Sequence, residues 1–228
     1  MVTITGISSM ATRQLLAELS QASQARLGLA VAVDSVGGVD AARRVQAGEA
    51  FDIVVLASDA IERLEAEGHL RLRSRVDLVR SGVAVAVPAG APKPALATQD
   101  DVRRAVLAAR SIGVSTGPSG VQLQRLFERW GIVEQIRDRL VQAAPGVPVG
   151  TLVARGEVTL GFQQRSELIH VAGIDIVGPM PPAIQIETVF SAAVGVRSAH
   201  PEGAAACIAF MASPDAADAK RRQGMEPA

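Results

Sequence analysis

The sequence predicts an α/β fold built on a largely parallel sheet, and three observations carry that reading. Strand-like apolar runs alternate with amphipathic runs of helical period, the order of βαβ units joined by right-handed crossovers. The clearest strand, Phe51-Asp52-Ile53-Val54-Val55-Leu56-Ala57, is almost unbroken in its apolar character, as a strand buried on both faces requires. Two strands also run out into loops of small, hydroxyl-bearing and glycine residues that open helices. These are Gly6-Ile7-Ser8-Ser9-Met10-Ala11-Thr12 and Ser115-Thr116-Gly117-Pro118-Ser119-Gly120.

Met1-Val2-Thr3-Ile4-Thr5-Gly6 alternates as a strand does, and residues 3–7 are read as the first one, with Ser8 and Ser9 at its carboxyl end. Residues 11–25 follow as a helix with Leu15, Leu16, Leu19 and Ala22 on one face. A second strand over 29–35 leads into Val36-Gly37-Gly38-Val39-Asp40, where Asp40 is a candidate N-cap for a helix over 41–47 that Gly48 ends. After the strand over 51–57, Ser58-Asp59 caps a helix over 60–67, stopped by Gly68. The rhythm then changes. Residues 77–87 are long and β-branched and run into Pro88-Ala89-Gly90-Ala91-Pro92-Lys93-Pro94, which makes them a candidate crossing between domains. Helices are expected over 100–109, 121–130 and 133–140, a periodic run over 147–154, and strands over 111–114, 159–164 and 174–178, with a short helix over 167–172. Pro179-Met180-Pro181-Pro182 breaks the pattern, 188–196 is strand-like and can return to the first domain, and helices over 201–211 and 215–222 close the chain.

A strand, a loop of hydroxyls and glycines and then a helix start make a cradle for an anion. The first-turn N–H groups of a helix have no partner inside it, the helix dipole favours negative charge there, and glycine lets a ligand approach the backbone. The same residues also suit an ordinary serine-capped turn. Ser8, Ser9, Ser115 and Ser119 are therefore candidate hydrogen-bond donors; no GxSxG motif makes any of them a nucleophile.

Composition excludes several classes. With 23 Lys plus Arg against 23 Asp plus Glu, the 228-residue chain has no net charge to attract nucleic acid or an anionic membrane. Aromatic residues make up 3% and tyrosine is missing, so platforms for stacking bases or sugars are scarce. The single cysteine, Cys207, sits in an alanine-rich apolar run and is read as a core residue. His69, His170 and His200 are scattered, and there is no HExxH, CxxC or Walker loop, so no metal and no cofactor are expected. Nothing resembling a signal precedes the first strand, and no apolar run is long enough to span a membrane. The expectation is a cytoplasmic protein without membrane insertion, or a periplasmic one if a signal was trimmed. Arg13, Arg43, Arg80 and Arg165 lie near strand ends, and a guanidinium there suits a carboxylate. Arg80 stands out because it precedes Ser81-Gly82 at the candidate crossing, and Gln163 and Gln164 offer neutral polar contacts.

The order of these pieces resembles the type II periplasmic solute-binding proteins, and within them the molybdate-binding branch, which includes aconitate isomerase-like proteins. The resemblance rests on Ser8-Ser9-Met10, on Ala42-Arg43-Arg44-Val45-Gln46-Ala47-Gly48-Glu49 before Phe51-Asp52-Ile53, and on Pro118-Ser119-Gly120. It also rests on Leu152-Val153-Ala154-Arg155-Gly156-Glu157 before Leu160-Gly161 and on the C-terminal Gly224-Met225-Glu226-Pro227. It implies two α/β lobes, each a mixed sheet flanked by helices, with a small anion in the cleft between them. The lobes are expected at residues 1–82 with 190–228, and at 83–189. It also implies ligand contacts from Ser8, Ser9 and Met10, from the second loop at Gly38 and Val39, from Ser58, and from Ser119 and Gly146 through their backbone; Arg80 and Ser115 join these from the residue reading. The family's tyrosine ligand falls near Gln163 or Gln164, and its serine-rich second loop is Gly37-Gly38-Val39 here. Those departures, with arginines near the strand ends, predict a carboxylate in preference to a tetrahedral oxyanion. The expected partner is that anion; a permease of the ABC type enters only if the protein is exported. The resemblance also implies, as an alternative, an isomerase moving a double bond in an unsaturated polycarboxylate, for which no catalytic base stands out in the sequence.

Overall fold

The computed structural model describes residues 3–144 and 146–228. Met1, Val2 and Pro145 lie outside the described residues, and with them the start of the alternating N-terminal run and of Pro145-Gly146-Val147. The chain divides into two compact units, Met1–Ser81 with Val189–Ala228, and Gly82–Thr188.

The first unit opens with β1 (Thr3–Ser9), α1 (Arg13–Leu27), β2 (Ala30–Val36), α2 (Gly38–Gln46), β3 (Ile53–Ala57), α3 (Ser58–Ala66) and β4 (Val76–Pro88), whose second half belongs to the other unit. β1 pairs in parallel with both β2 and β3. Every residue of β3 is buried, as its apolar run predicts. Ile53, Val55 and Ala57 pack into a core with Leu15, Leu16 and Leu19 of α1, while Val54 and Leu56 join Val45 of α2 with Ile61 and Leu64 of α3. Gly48 and Gly68 stand just beyond α2 and α3 at φ +84° and +80°, the left-handed region a helix stop needs.

The second unit continues with α4 (Gln99–Ala108), β5 (Ile112–Val114), α5 (Pro118–Arg129), α6 (Val133–Ile136), β6 (Leu140–Gln142), α7 (Val149–Ala154), β7 (Leu160–Gln164), α8 (Arg165–Leu168) and β8 (Ile174–Pro179). β5 lies parallel between β6 and β7, and β4 pairs antiparallel with β7 and β8. One face of this sheet packs Val85, Phe162 and Val114 against Val102 and Val106 of α4 and Leu123 and Phe127 of α5. β9 (Glu187–Val194) returns the chain to the first unit, antiparallel to β3, followed by α9 (Pro201–Ala212), α10 (Ala217–Arg222) and β10 (Glu226–Pro227) on β4. Cys207 is buried on α9 in the α1 core.

Three local expectations change, and one strand is added. α2 starts at Gly38 with Gly37 as N-cap, so Asp40 lies in the first turn and pairs with Arg43 instead of capping. Ser58 is the first residue of α3, not its cap. The run at 133–140 stays helical as far as Arg139, with one α turn followed by a 3-10 turn over Arg137–Arg139, and at Leu140 it passes into the edge strand β6, because Leu140 to Gln142 can pair with β5. The short strand β10 had no apolar pattern to announce it; it exists through its pairing with β4.

Asp52, just before β3, ties the first unit together. Its carboxylate accepts from the Thr5 backbone N–H at 2.9 Å and the Thr5 hydroxyl at 3.0 Å, from the Ser198 hydroxyl at 2.6 Å, and from the His200 N–H at 3.1 Å. Burial works against the charge, but these donors outweigh it and hold the carboxyl below its ordinary value. Its contribution to stability is therefore present above the ordinary aspartate range and lost as pH falls through the lowered folded-state value. Asp52→Ala, which strands those donors, is expected to lower the unfolding free energy by about 3 kcal/mol at pH 7. In urea titrations the gap from wild type should narrow below about pH 4.

Candidate anion-binding site

Parallel strands leave the sheet through helices, so helix N-termini gather at their carboxyl ends. In the first unit β1 ends at Ser8 and Ser9. Ser8 is fully buried, its hydroxyl 2.8 Å from that of Ser35, its register partner on β2. Ser9 caps the 3-10 turn over Met10–Thr12 by accepting from Ala11 N–H at 3.4 Å, which leaves the Ser9 hydroxyl hydrogen free to donate. Gly38 stands beside it: a Cβ there would lie 3.6 Å from Ser9 Oγ. Val39, next along α2, is exposed. The structure thus brings Ser8, Ser9, Met10, Gly38 and Val39 together with Ser35.

Neither α2 nor α3 has a side-chain cap; their N-cap residues are Gly37 and Ala57. Their first-turn N–H groups are available to an anion. The Ser58 hydroxyl is 2.7 Å from Ser191 Oγ and 3.1 Å from the Val189 carbonyl, while Ser191 donates to Asp77 at 2.5 Å. Its proton thus has internal acceptors, and what Ser58 offers a ligand is its backbone. The structure takes Arg80 to the C-terminal residues: it is exposed, opposite Glu226 on β10, and donates to the Pro227 carbonyl at 3.4 Å.

The second unit repeats the arrangement. α5 follows β5 with Gly117 as N-cap, no side-chain cap and Pro118 in its first turn. The serine-capped-turn reading therefore does not describe this loop. Pro118 has no N–H, so the first free donors are Ser119 and Gly120. Ser119 is buried, and its hydroxyl lies 3.4 Å from that of Ser115. α4 shows what a satisfied end looks like in this protein, with Thr98 and Asp101 forming a reciprocal capping box. Gly146 sits in an exposed turn at φ +78°.

Gln163 and Gln164 end β7 and are both buried. Gln163 Oε1 accepts from Gly150 N–H in the first turn of α7 at 3.1 Å, and its amide also bonds Glu167 on α8. Gln164 Nε2 donates to Thr188 Oγ1 at 2.8 Å, while its buried Oε1 has no partner among the described residues. Burial raises the Glu167 carboxyl to about 7, with the Gln163 hydrogen bond opposing the rise. Sequence reasoning missed Ser35, Ser191 and Glu167. The serines lay inside strand patterns, and Glu167 was read only as part of a short helix.

Residues 4–226 match the bacterial extracellular solute-binding proteins, and the chain belongs to that family. An aconitate isomerase from a Pseudomonas species is 38% identical over 231 residues, which span 99% of this chain and 88% of that protein. Among solved structures, the periplasmic molybdate-binding protein of Azotobacter vinelandii superposes with a TM-score of 0.80 at 21% identity, covering 97% of this chain and 98% of that one. The sulfate-binding protein of Mycobacterium tuberculosis H37Rv gives 0.81 at 19% identity over 100% and 87% of the two chains. The fold is that of the type II periplasmic binding proteins, with the two-unit α/β order the sequence predicted.

Gly120 is the tightest point of the second cluster. A Cβ there would lie 1.9 Å from the Ser115 carbonyl oxygen, a backbone atom that cannot swing away. Gly120→Ala should destabilise by about 2 kcal/mol or more, measured by chemical denaturation, because the loop or the helix must shift.

Proposed function

We propose that this protein binds a small carboxylate anion through the serine hydroxyls and uncapped helix N–H groups at the carboxyl ends of its parallel strands. The observation that carries this reading is the combination at Ser9 and at Ser119: a hydroxyl beside a helix N-terminus that no side chain caps. Carboxylate is favoured over a tetrahedral oxyanion by the residues at the end of β7, where Gln163 and Gln164 stand in a chain without tyrosine. Arg13 and Arg165 support it too. Both are exposed, they open α1 and α8, and neither has an ion pair among the described residues. A guanidinium matches two carboxylate oxygens at once.

A second reading, isomerisation of an unsaturated tricarboxylate, is favoured by the aconitate isomerase likeness, which runs through almost the whole of both chains. Thermal unfolding against molybdate, tungstate, sulfate and a panel of di- and tricarboxylates tests the binding reading. A ligand at 100 times its dissociation constant adds about 2.7 kcal/mol of stability. A tricarboxylate should raise the melting temperature more than any oxyanion, and Ser9→Ala should weaken its binding about fivefold, the worth of one lost hydrogen bond. Binding of molybdate with no carboxylate binding would overturn the proposal.

A further inference from the structure

Resting on the isomerase reading, we propose that Glu167 takes a proton from one carbon of the unsaturated tricarboxylate and returns it to another, with Gln163 as the residue that positions it. In that step the carboxylate removes a methylene proton and the C–H electron pair forms a new double bond to the neighbouring carbon. The electrons of the old double bond then take the proton back from the carboxylic acid at its far carbon. One C–H bond breaks and one forms, nothing is oxidised or reduced, and Glu167 ends as it began.

Three features of the second unit support this assignment. Glu167 lies on the helix that starts directly at the end of β7, next to the glutamines that occupy the place the resemblance gives to a ligand contact. Gln163 is held by Gly150 N–H at 3.1 Å, so the amide bonded to Glu167 has one fixed direction. Finally, Glu167 is partly buried and forms no ion pair among the described residues. Arg165, two residues before it, is exposed, and burial raises the carboxyl while the Gln163 amide opposes the rise. The carboxylates of the first unit are different in kind. Asp52 is saturated by donors that hold it below its ordinary value, and Asp77 is occupied, accepting from Ser191 while pairing with Arg75. A carboxyl titrating near 7 is poised for proton transfer at neutral pH.

Proton NMR of cis- and trans-aconitate in deuterated water, with the full chain, tests this. Wild type should interconvert the isomers, with deuterium entering the methylene to the extent that the proton on Glu167 exchanges with solvent before it is returned. Glu167→Gln should lose both by about 100-fold or more, while still showing the tricarboxylate-induced rise in melting temperature. In wild type kcat/KM should climb through about pH 7, the value at which Glu167 ionises. Gln163→Ala, which removes the bond opposing the rise, should move that midpoint upward, a shift that loss of packing alone would not produce. Wild-type-like interconversion in Glu167→Gln would overturn the assignment and leave the isomerase reading standing. A wild type that binds the tricarboxylate but never interconverts its isomers would overturn the isomerase reading and this inference with it. Should Glu167→Gln fail to fold, the wild-type profile decides: a rate flat from about pH 5 to 9 removes Glu167 from the reaction.

Discussion

A parallel strand buried on both faces cannot turn back on itself; it has to leave through a crossover, and here each crossover is a helix. That constraint governs both units. It makes β3 uniformly apolar, because α1 and α9 cover one face and α2 and α3 the other. It also places helix starts at the carboxyl ends of β1, β2 and β3, and again at those of β5, β6 and β7. Unsatisfied N–H groups then gather where strands end, whatever the side chains are. The residues at those ends decide what the gathering is for. Gly37, Ala57 and Gly117 supply no side-chain cap, and serines stand near each of these helix starts: Ser9 beside Gly38, Ser58 opening α3 and Ser119 in the first turn of α5.

Much of this was legible in the sequence, for reasons that differ by element. The run from Phe51 to Ala57 could be read at once, since burial on two faces leaves no polar alternation. The serine loops were legible as strand–loop–helix junctions, and Gly48 and Gly68 as stops. β6 was not, because Leu140 to Gln142 carries no pattern that separates it from the preceding turn; its strand character comes from β5 alone. Nor was β10, whose pairing joins residues nearly 150 apart. The donors at the strand ends suffered the same limit. Ser58 was visible, but its engagement with Ser191 and Val189 depends on β9 returning beside β3. Arg80 was visible too, but its contact with the C-terminal strand depends on a pairing the sequence does not announce.

Glu167 belongs to the same class of hidden feature. A glutamate in a short amphipathic segment is read as solvated, and what changes it is the packing of α7 and α8 at the end of β7. Gly150 matters here for its missing side chain. A Cβ at that position would lie 3.0 Å from Leu168 and 3.1 Å from Val171, so a larger residue would push α8 away from α7. The N–H that fixes Gln163 and the space that keeps Glu167 close come from one residue.

The two proposed activities make opposite demands on charge. Binding an anion is served by groups held in one protonation state, and several of this chain's charged groups are held by partners. Arg44 lies between Glu49 and Asp34, Arg75 between Glu62 and Asp77, and Asp101 is held ionised by Thr98. Moving a proton requires the reverse, a group whose two states lie close in energy at working pH. A carboxylate reaches that condition by losing water without gaining a cation, since either a salt bridge or a set of N–H donors would pull it back into the acid range. The end of β7 offers neutral amides in place of cations: Gln163 bonds the carboxyl and Gln164 turns to Thr188. On this view, what separates a binder from an isomerase in such a fold is whether the side chains around one carboxylate are charged or merely polar.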